Sequence, residues 1–227
     1  RGRVREQNED SYVVARLGRF LEPVASNLPD GALPSRHEER GYLMIVADGL
    51  GGHEAGEQAS RTVLLTALQL ILQTPKWAMR FDDPATRERG IRQLASRARS
   101  YLTGVEAEIR RRVAEDPSLT GMGTTLTGAY TAGTDMFVLH IGDSKAYVLR
   151  GGELRKITRD HTVAQEYADL GVIPQAEVAG HRLHHVLTRA LGAGDEQAQA
   201  DFDHWELQDG DRLLLCSDGL TDMVSEQ

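Results

Sequence analysis

Three apolar runs in this chain each end in an aspartate set beside glycine or serine. They are GYLMIVADGLGGHEAGEQAS (41–60), MFVLHIGDSKAYVLR (136–150) and RLLLCSDGLTDMV (212–224). An apolar run of this length reads as a buried strand, and the Asp that closes it stands at a sheet edge. Glycine beside it lets the backbone approach closely. Folding alone has no use for three carboxylates collected at sheet edges. Asp48, Asp143 and Asp218 call for a positive partner, and hard divalent cations, which take oxygen ligands, supply one.

Composition narrows the class. With 227 residues, 40% hydrophobic and 26% charged, the chain is ordinary globular material with ample core. A net charge of −8 argues against a protein that grips nucleic acid by neutralising phosphates. The lone Cys216 excludes an intramolecular disulfide framework and fits a reducing compartment. No run approaches bilayer length and no signal peptide opens the chain, so a cytoplasmic protein is expected. The chain starts at Arg1 without Met and stops at Gln227 just after a helix-like opening. Both ends read as cut from something longer.

Residues 10–17 and 41–47 read as strands, with 18–40, rich in Pro, Gly and charge, as a loop or hairpin extension. Ala55, Ala59, Val63, Ala67, Leu70 and Ile71 recur at helical spacing over 54–73, before Pro75. A second stripe, Ile91, Leu94, Ala98, Leu102, Val105, Ile109 and Val113, predicts a long helix over 85–115. Nine arginines fall between 80 and 112; with Glu88, Glu106 and Glu108 interleaved they describe a solvated face rather than an anion patch. After Gly123 the pattern turns to period two, with tight-turn signals at Gly142-Asp143-Ser144 and Gly151-Gly152, predicting an antiparallel meander. Residues 161–192 mix short helix and loop, and RLLLCSD adds a strand. Segregated strand and helix blocks indicate an α+β layered domain.

Glu9 and Asp10 stand directly before the first strand, with Arg5 upstream of them. No His-x-His pair or HExxH run appears, so an all-oxygen set suited to Mg²⁺ or Mn²⁺ is favoured over zinc. Any one of these acids has a plain alternative as a turn residue or helix cap. Asp48 alone would simply end a strand, and Asp218 alone would cap the helix after it.

The ordered set RxxNED, ADGLGGHEAGEQAS, GMGTTL, HIGDSKAYVLRGGELRKITRDHT, VLTRALG and LLLCSDGLTDMV resembles the bacterial branch of the type-2C, metal-dependent (PPM) Ser/Thr protein phosphatases, from Arg5 to Val224. The resemblance implies one catalytic domain over 1–227, a central antiparallel β-sandwich flanked by helices on both sides. It implies hydrolysis of phosphoserine and phosphothreonine monoesters by a water or hydroxide bridging two Mn²⁺ or Mg²⁺ ions, with room for a third. In that pattern Asp48 bridges the two metals, the Gly49 carbonyl joins the second, and Glu9 and Asp10 hold the second largely through water. Asp218 binds the first, and Asp143 with Asp218 builds the third site. Arg5 clamps the substrate phosphate through a bidentate guanidinium. His53 falls where a general acid is expected; its alternative is a polar residue in a Gly-rich turn. Residues 161–185 match the mobile flap, read as substrate-selecting or as surface decoration. The expected partners are phosphorylated proteins and a cognate Ser/Thr kinase, with the enzyme a monomer.

One departure stands out. The resemblance leads one to expect a further metal-binding Asp in a DN motif beyond the SDGL helix, and the sequence stops before that point; either a C-terminal segment follows, which is the favoured expectation, or the first metal site is crippled. The rival reading is a pseudophosphatase that recognises phosphoproteins without turnover; the full set Arg5, Glu9, Asp10, Asp48, Asp143 and Asp218 speaks against it. A cysteine phosphatase is discounted because Cys216 is followed six residues on by Asp222, not by the needed Arg. Asp201-Phe202-Asp203 lacks the apolar lead-in of an aspartyl-phosphate enzyme, and Ser144 lacks the late DxxH of a GDSL esterase.

Overall fold

Period-two alternation in the β-branched segments and a 3.6-residue stripe in the helical ones produce two sheets and a helical layer. The computed structural model describes residues 8–29, 31–51, 53–74, 84–194 and 198–224, with backbone only at 19, 21, 53, 84 and 85. The first half runs β1 (Ser11–Leu21), β2 (His37–Ala47), β3 (Gly49–Leu50), α1 (His53–Gln73) and α2 (Pro84–Glu115). The second runs β4 (Gly123–Thr124), β5 (Leu126–Ala132), β6 (Asp135–Ile141), β7 (Lys145–Arg150) and β8 (Glu153–Lys156). After these come α3 (Val163–Asp169), β9 (Asp201–Glu206), β10 (Arg212–Cys216) and α4 (Asp218–Thr221).

Five strands form one antiparallel sheet in the order β1-β2-β5-β6-β9, and three form a second, β10-β7-β8. The small β3-β4 pair, with Gly49 opposite Thr124, lies beside the acidic turns. One face of the large sheet (Leu43, Ile45, Ala47, Leu126, Ile141) packs on Ala59 and Val63 of α1 and Val105 and Ile109 of α2. Its opposite face (Ala129, Met136, Val138) packs on Ala146 and Val148 of the second sheet. Full burial of an aliphatic side chain such as Ile109 is worth about 1.5–3 kcal/mol, so two-sided burial of the central strands holds the sandwich together. The expected α+β sandwich of antiparallel sheets is therefore present. Both long helices form within a residue of their predicted bounds.

One open reading resolves and two expectations change. The 18–40 segment resolves as the hairpin extension, since β1 and β2 pair from Ser11↔Ala47 out to Leu21↔His37. The single meander after Gly123 is in fact divided: β5 and β6 stay in the large sheet while β7 and β8 cross to the other one. The chain makes that corner at Gly142, whose φ of +105° is open to glycine and strained for other residues. Finally, β9 was unread in the sequence and pairs with β6 over Asp135↔Glu206 to His140↔Asp201.

The arginines of α2 largely behave as a wet face, with Arg92 on Glu88 and Arg111 on Glu108 and Glu115. Arg87 is different. Its Nη2 donates at 2.6 Å to Asp135, a carboxylate only 5% exposed, whose same oxygen lies 2.6 Å from His204 Nε2. The pair pins α2 to the far edge of the large sheet. Arg87→Ala leaves that buried carboxylate short of its cation and is expected to cost about 2 kcal/mol, read as a lower urea midpoint at unchanged slope.

Candidate active site

Asp48 follows β2 directly, and its backbone is fixed from both sides by two threonines, Thr124 at the end of β4 and Thr125 at the junction to β5. The Thr125 N–H donates to the Asp48 carbonyl at 2.9 Å, and the Thr124 hydroxyl donates to the same oxygen at 2.8 Å. In return the Asp48 N–H donates to Thr125 Oγ1 at 3.0 Å. Thr125 Oγ1 also meets Ser144 Oγ at 2.8 Å, next to Asp143. One threonine therefore ties together the turns that carry Asp48 and Asp143. The GTT motif gave no hint of this beyond its β propensity, because the contact joins distant segments.

The acidic pair before β1 is seated by α1. A Cβ added to Gly56 would come 2.3 Å from Glu9 Oε2, so the Glu9 carboxylate occupies the space that the missing side chain leaves. Ser60, one turn on, donates to the Glu9 carbonyl at 2.6 Å. Gly49 approaches Gly56 so closely that a Cβ on it would sit 2.1 Å from the Gly56 carbonyl oxygen. The spacing within DGLGGHEAGEQAS thus brings the Gly49 backbone and the Glu9 carboxylate onto the same helical turn.

Asp218 opens α4, but it does not serve as the cap that a lone Asp would suggest. Ser217 holds the cap position and makes no side-chain capping bond. Its hydroxyl instead donates to Asp10 Oδ2 at 3.0 Å, drawing the N-terminal acid toward the SDGL turn. Asp143 lies in the β6–β7 corner and is 6% exposed; the Lys145 ammonium donates to its main-chain carbonyl at 2.9 Å.

The carboxylates are electrostatically one group. Asp48 is pushed up to about 9, first by burial, then by the charges of Asp10 and Asp218, a hydrogen bond shared with Asp218, and Asp143. Asp143 is pushed up to about 7 by burial and by Asp218, with Lys145 opposing. The structure thus brings Asp48, Asp218, Asp10 and Asp143 together, as the motifs require, and seats Glu9 and Gly49 beside them on α1. Arg5 lies outside the described residues, and so does the side chain of His53, whose backbone begins α1.

Among the described residues, no three His, Cys, Asp or Glu side chains are gathered tightly enough to hold an ion unaided. Mg²⁺-like cations bind through one or two carboxylates and keep several waters, so a loose ring of acids around shared space fits them better than a closed cage does. Crowded acids pushed toward neutrality fit a site that awaits positive charge. A separate cavity of about 120 Å³ between α1, α2 and the large sheet is lined almost wholly by apolar groups such as Leu43, Ile71 and Leu102. Its lining holds no carboxylate, imidazole or thiol, and the chemistry belongs to the acidic end.

The sequence model described as Protein phosphatase 2C matches residues 27–227. The chain is 35% identical over 201 residues to the serine/threonine protein phosphatase PstP of Mycobacterium tuberculosis, covering 87% of this chain and 36% of that protein. It therefore spans little more than a third of that relative's length. It is 30% identical over 230 residues to the serine/threonine phosphatase stp of Listeria innocua, covering 100% of this chain and 77% of the relative. Among solved structures it resembles the catalytic domain of PstP in complex with two manganese ions, with a TM-score of 0.63 at 32% identity, over 95% of this chain and 82% of that one.

Proposed function

We propose that this chain, which belongs to the protein phosphatase 2C family, hydrolyses phosphoserine and phosphothreonine esters on proteins with the help of divalent cations. The observation that carries the reading is the crowding of Asp48 with Asp10, Asp218 and Asp143 in a largely buried setting, which raises the proton affinity of Asp48 and of Asp143. Turn residues with only a capping role would not be driven together from three separate strand ends. Mn²⁺ or Mg²⁺ are the candidates, and the manganese in the related PstP domain supports the former. Asp48, Asp218, the Gly49 carbonyl, Glu9, Asp10 and Asp143 are the residues we assign to hold them.

When bound, such cations lower the pKa of water and neutralise charge on the phosphoryl oxygens. The protein's own groups do the rest. The two threonines and Ser217 keep the carboxylates in place before substrate arrives, so little reorganisation is needed at the reacting centre. On motif alone we assign Arg5 to grip two phosphate oxygens and His53 to return a proton to the departing Ser or Thr oxygen. The P–O bond to the side chain breaks as water oxygen bonds to phosphorus, yielding the hydroxyl and inorganic phosphate. The 161–185 segment we place beside this opening as a substrate-selecting flap. Phosphoproteins marked by a Ser/Thr kinase are the substrate class, and we take the protein to act as a monomer in the cytoplasm. Among the described residues no helix is long and apolar enough to cross a membrane.

The test is hydrolysis of p-nitrophenyl phosphate and of a phosphothreonine peptide in Mn²⁺ or Mg²⁺. Turnover is expected with both substrates, with loss on chelation by EDTA and recovery when metal is restored. Absence of turnover in either metal ends the catalytic reading.

A further inference from the structure

We propose that His161 is a positioning residue for the Asp143 turn, acting through Gly142 and oriented in turn by Asp201 and Arg189. The inference rests on the phosphatase reading above, because it concerns a carboxylate assigned to that site. His161 is 5% exposed and satisfies both main-chain groups of Gly142 at once. Its backbone N–H donates to the Gly142 carbonyl at 2.8 Å, and its Nδ1 accepts from the Gly142 N–H at 3.1 Å. Gly142 is a poor self-standing pivot. It holds φ at +105°, and a Cβ there would come 2.6 Å from Thr125 Cβ and Cγ2. The residue that carries Asp143 into the acidic cluster is therefore braced by an imidazole from a distant segment.

The remaining contacts orient that imidazole. Because Nδ1 accepts, a neutral ring carries its proton on Nε2, where Asp201 Oδ2 accepts at 3.2 Å. Arg189 Nη1 donates to the other Asp201 oxygen at 3.2 Å. The same nitrogen lies 3.3 Å from Nε2, but there a donor faces a donor, so its partner is the carboxylate. His140 packs its ring on His161 with centroids 4.9 Å apart, and its own nitrogens lie 2.9 Å from Thr127 Oγ1 and 3.0 Å from the Arg159 carbonyl. Asp201 belongs to β9 and Arg189 to the segment just after the flap. The chain Arg189, Asp201, His161, Gly142 thus joins the base of the flap to the Asp143 turn. An outer partner of this kind typically changes metal affinity ten- to a hundredfold when removed.

The experiment measures Mn²⁺ binding by the paramagnetic resonance signal of free Mn²⁺, alongside p-nitrophenyl phosphate turnover, for wild type, His161→Ala, His161→Asn and Asp201→Ala. His161→Ala is expected to weaken the most loosely held Mn²⁺ on the order of tenfold. His161→Asn, whose Oδ1 can stand in for Nδ1 as the acceptor for Gly142, should restore binding to within about twofold. Asp201→Ala should fall between them. Unchanged Mn²⁺ binding in His161→Ala, or equal weakening in the Ala and Asn variants, overturns the proposal. If His161→Ala does not fold, as judged by circular dichroism, Asp201→Ala decides: a loss supports the relay and wild-type binding overturns it. A wild-type protein that binds Mn²⁺ without turnover would remove the phosphatase reading while leaving the binding comparison intact.

Discussion

Asp48→Asn is expected to abolish phosphatase turnover while making the metal-free protein more stable. In the fold, burial and the neighbouring acids push the Asp48 carboxyl up to about 9, far above its unfolded value. Between pH ~4 and ~9 the folded state therefore holds a proton that the unfolded chain has given up. Stability falls as pH rises through that window, and the penalty is complete only above it. Asparagine is neutral, keeps the shape, and can still donate to Asp218. At pH ~7.5, after discounting for partial exposure and for coupling to Asp218, the variant should gain on the order of 2 kcal/mol, or about 4–8 °C for a domain of this size. Its melting point in EDTA should also be much flatter with pH than that of wild type. The catalytic cost goes the other way. Losing the carboxylate assigned to both cations should lower kcat on the order of a thousandfold, about 4 kcal/mol of barrier. Melting scans in EDTA and in Mn²⁺, with p-nitrophenyl phosphate kinetics, read both quantities. An Asp48→Asn protein that is active, or that melts below wild type without metal, would show that these acids are not crowded around a cation site.

Asp48, Asp143 and Asp218 were legible in the sequence because each ends an apolar run at a turn, and runs of that length have few fates other than buried strand. What surrounds them was less so. Thr124 and Thr125 read only as β-formers, and their hold on Asp48 exists only once β2 and β5 pair. Ser217 drew no reading of its own beside Asp218, yet its hydroxyl serves Asp10 at the opposite end of the chain. Arg87 reads as one more solvated arginine, but tertiary packing sets it on the buried carboxylate of Asp135. The strand β9 (DFDHWE) is too charged to declare itself, and its state is set by pairing with β6, a case of context overriding local propensity. The crossing from one sheet to the other at Gly142 was invisible because a meander and a split meander share the same alternation. Local periodicity therefore reports which residues stand at strand ends. The hydroxyls that fix them depend on contacts made only after folding.

Two neighbouring glycines separate the role of the scaffold from the role of the acids. In Gly49→Ala the new methyl would lie 2.1 Å from the Gly56 carbonyl oxygen and 2.4 Å from its carbon, so backbone must yield and α1 must move off β3. The expected result is a loss of about 3 kcal/mol or more in stability, with activity falling because the fold around Asp48 is displaced. In Gly56→Ala the first obstacle is the tip of a flexible side chain, Glu9 Oε2, at 2.3 Å. That carboxylate can swing aside, the approach to Gly49 opens by a few tenths of an ångström, and alanine favours the helix by about 1 kcal/mol over glycine. Gly56→Ala should therefore fold with nearly wild-type stability. If Glu9 serves a bound ion through water as assigned above, the variant's Mn²⁺ requirement should rise on the order of tenfold, because the carboxylate is turned away from that position. Urea melts together with Mn²⁺ titrations of turnover distinguish the two variants. Equal destabilisation of both would show that the Glu9 carboxylate is not what fills the space beside Gly56. Unchanged Mn²⁺ dependence in a well-folded Gly56→Ala would remove Glu9 from the metal site.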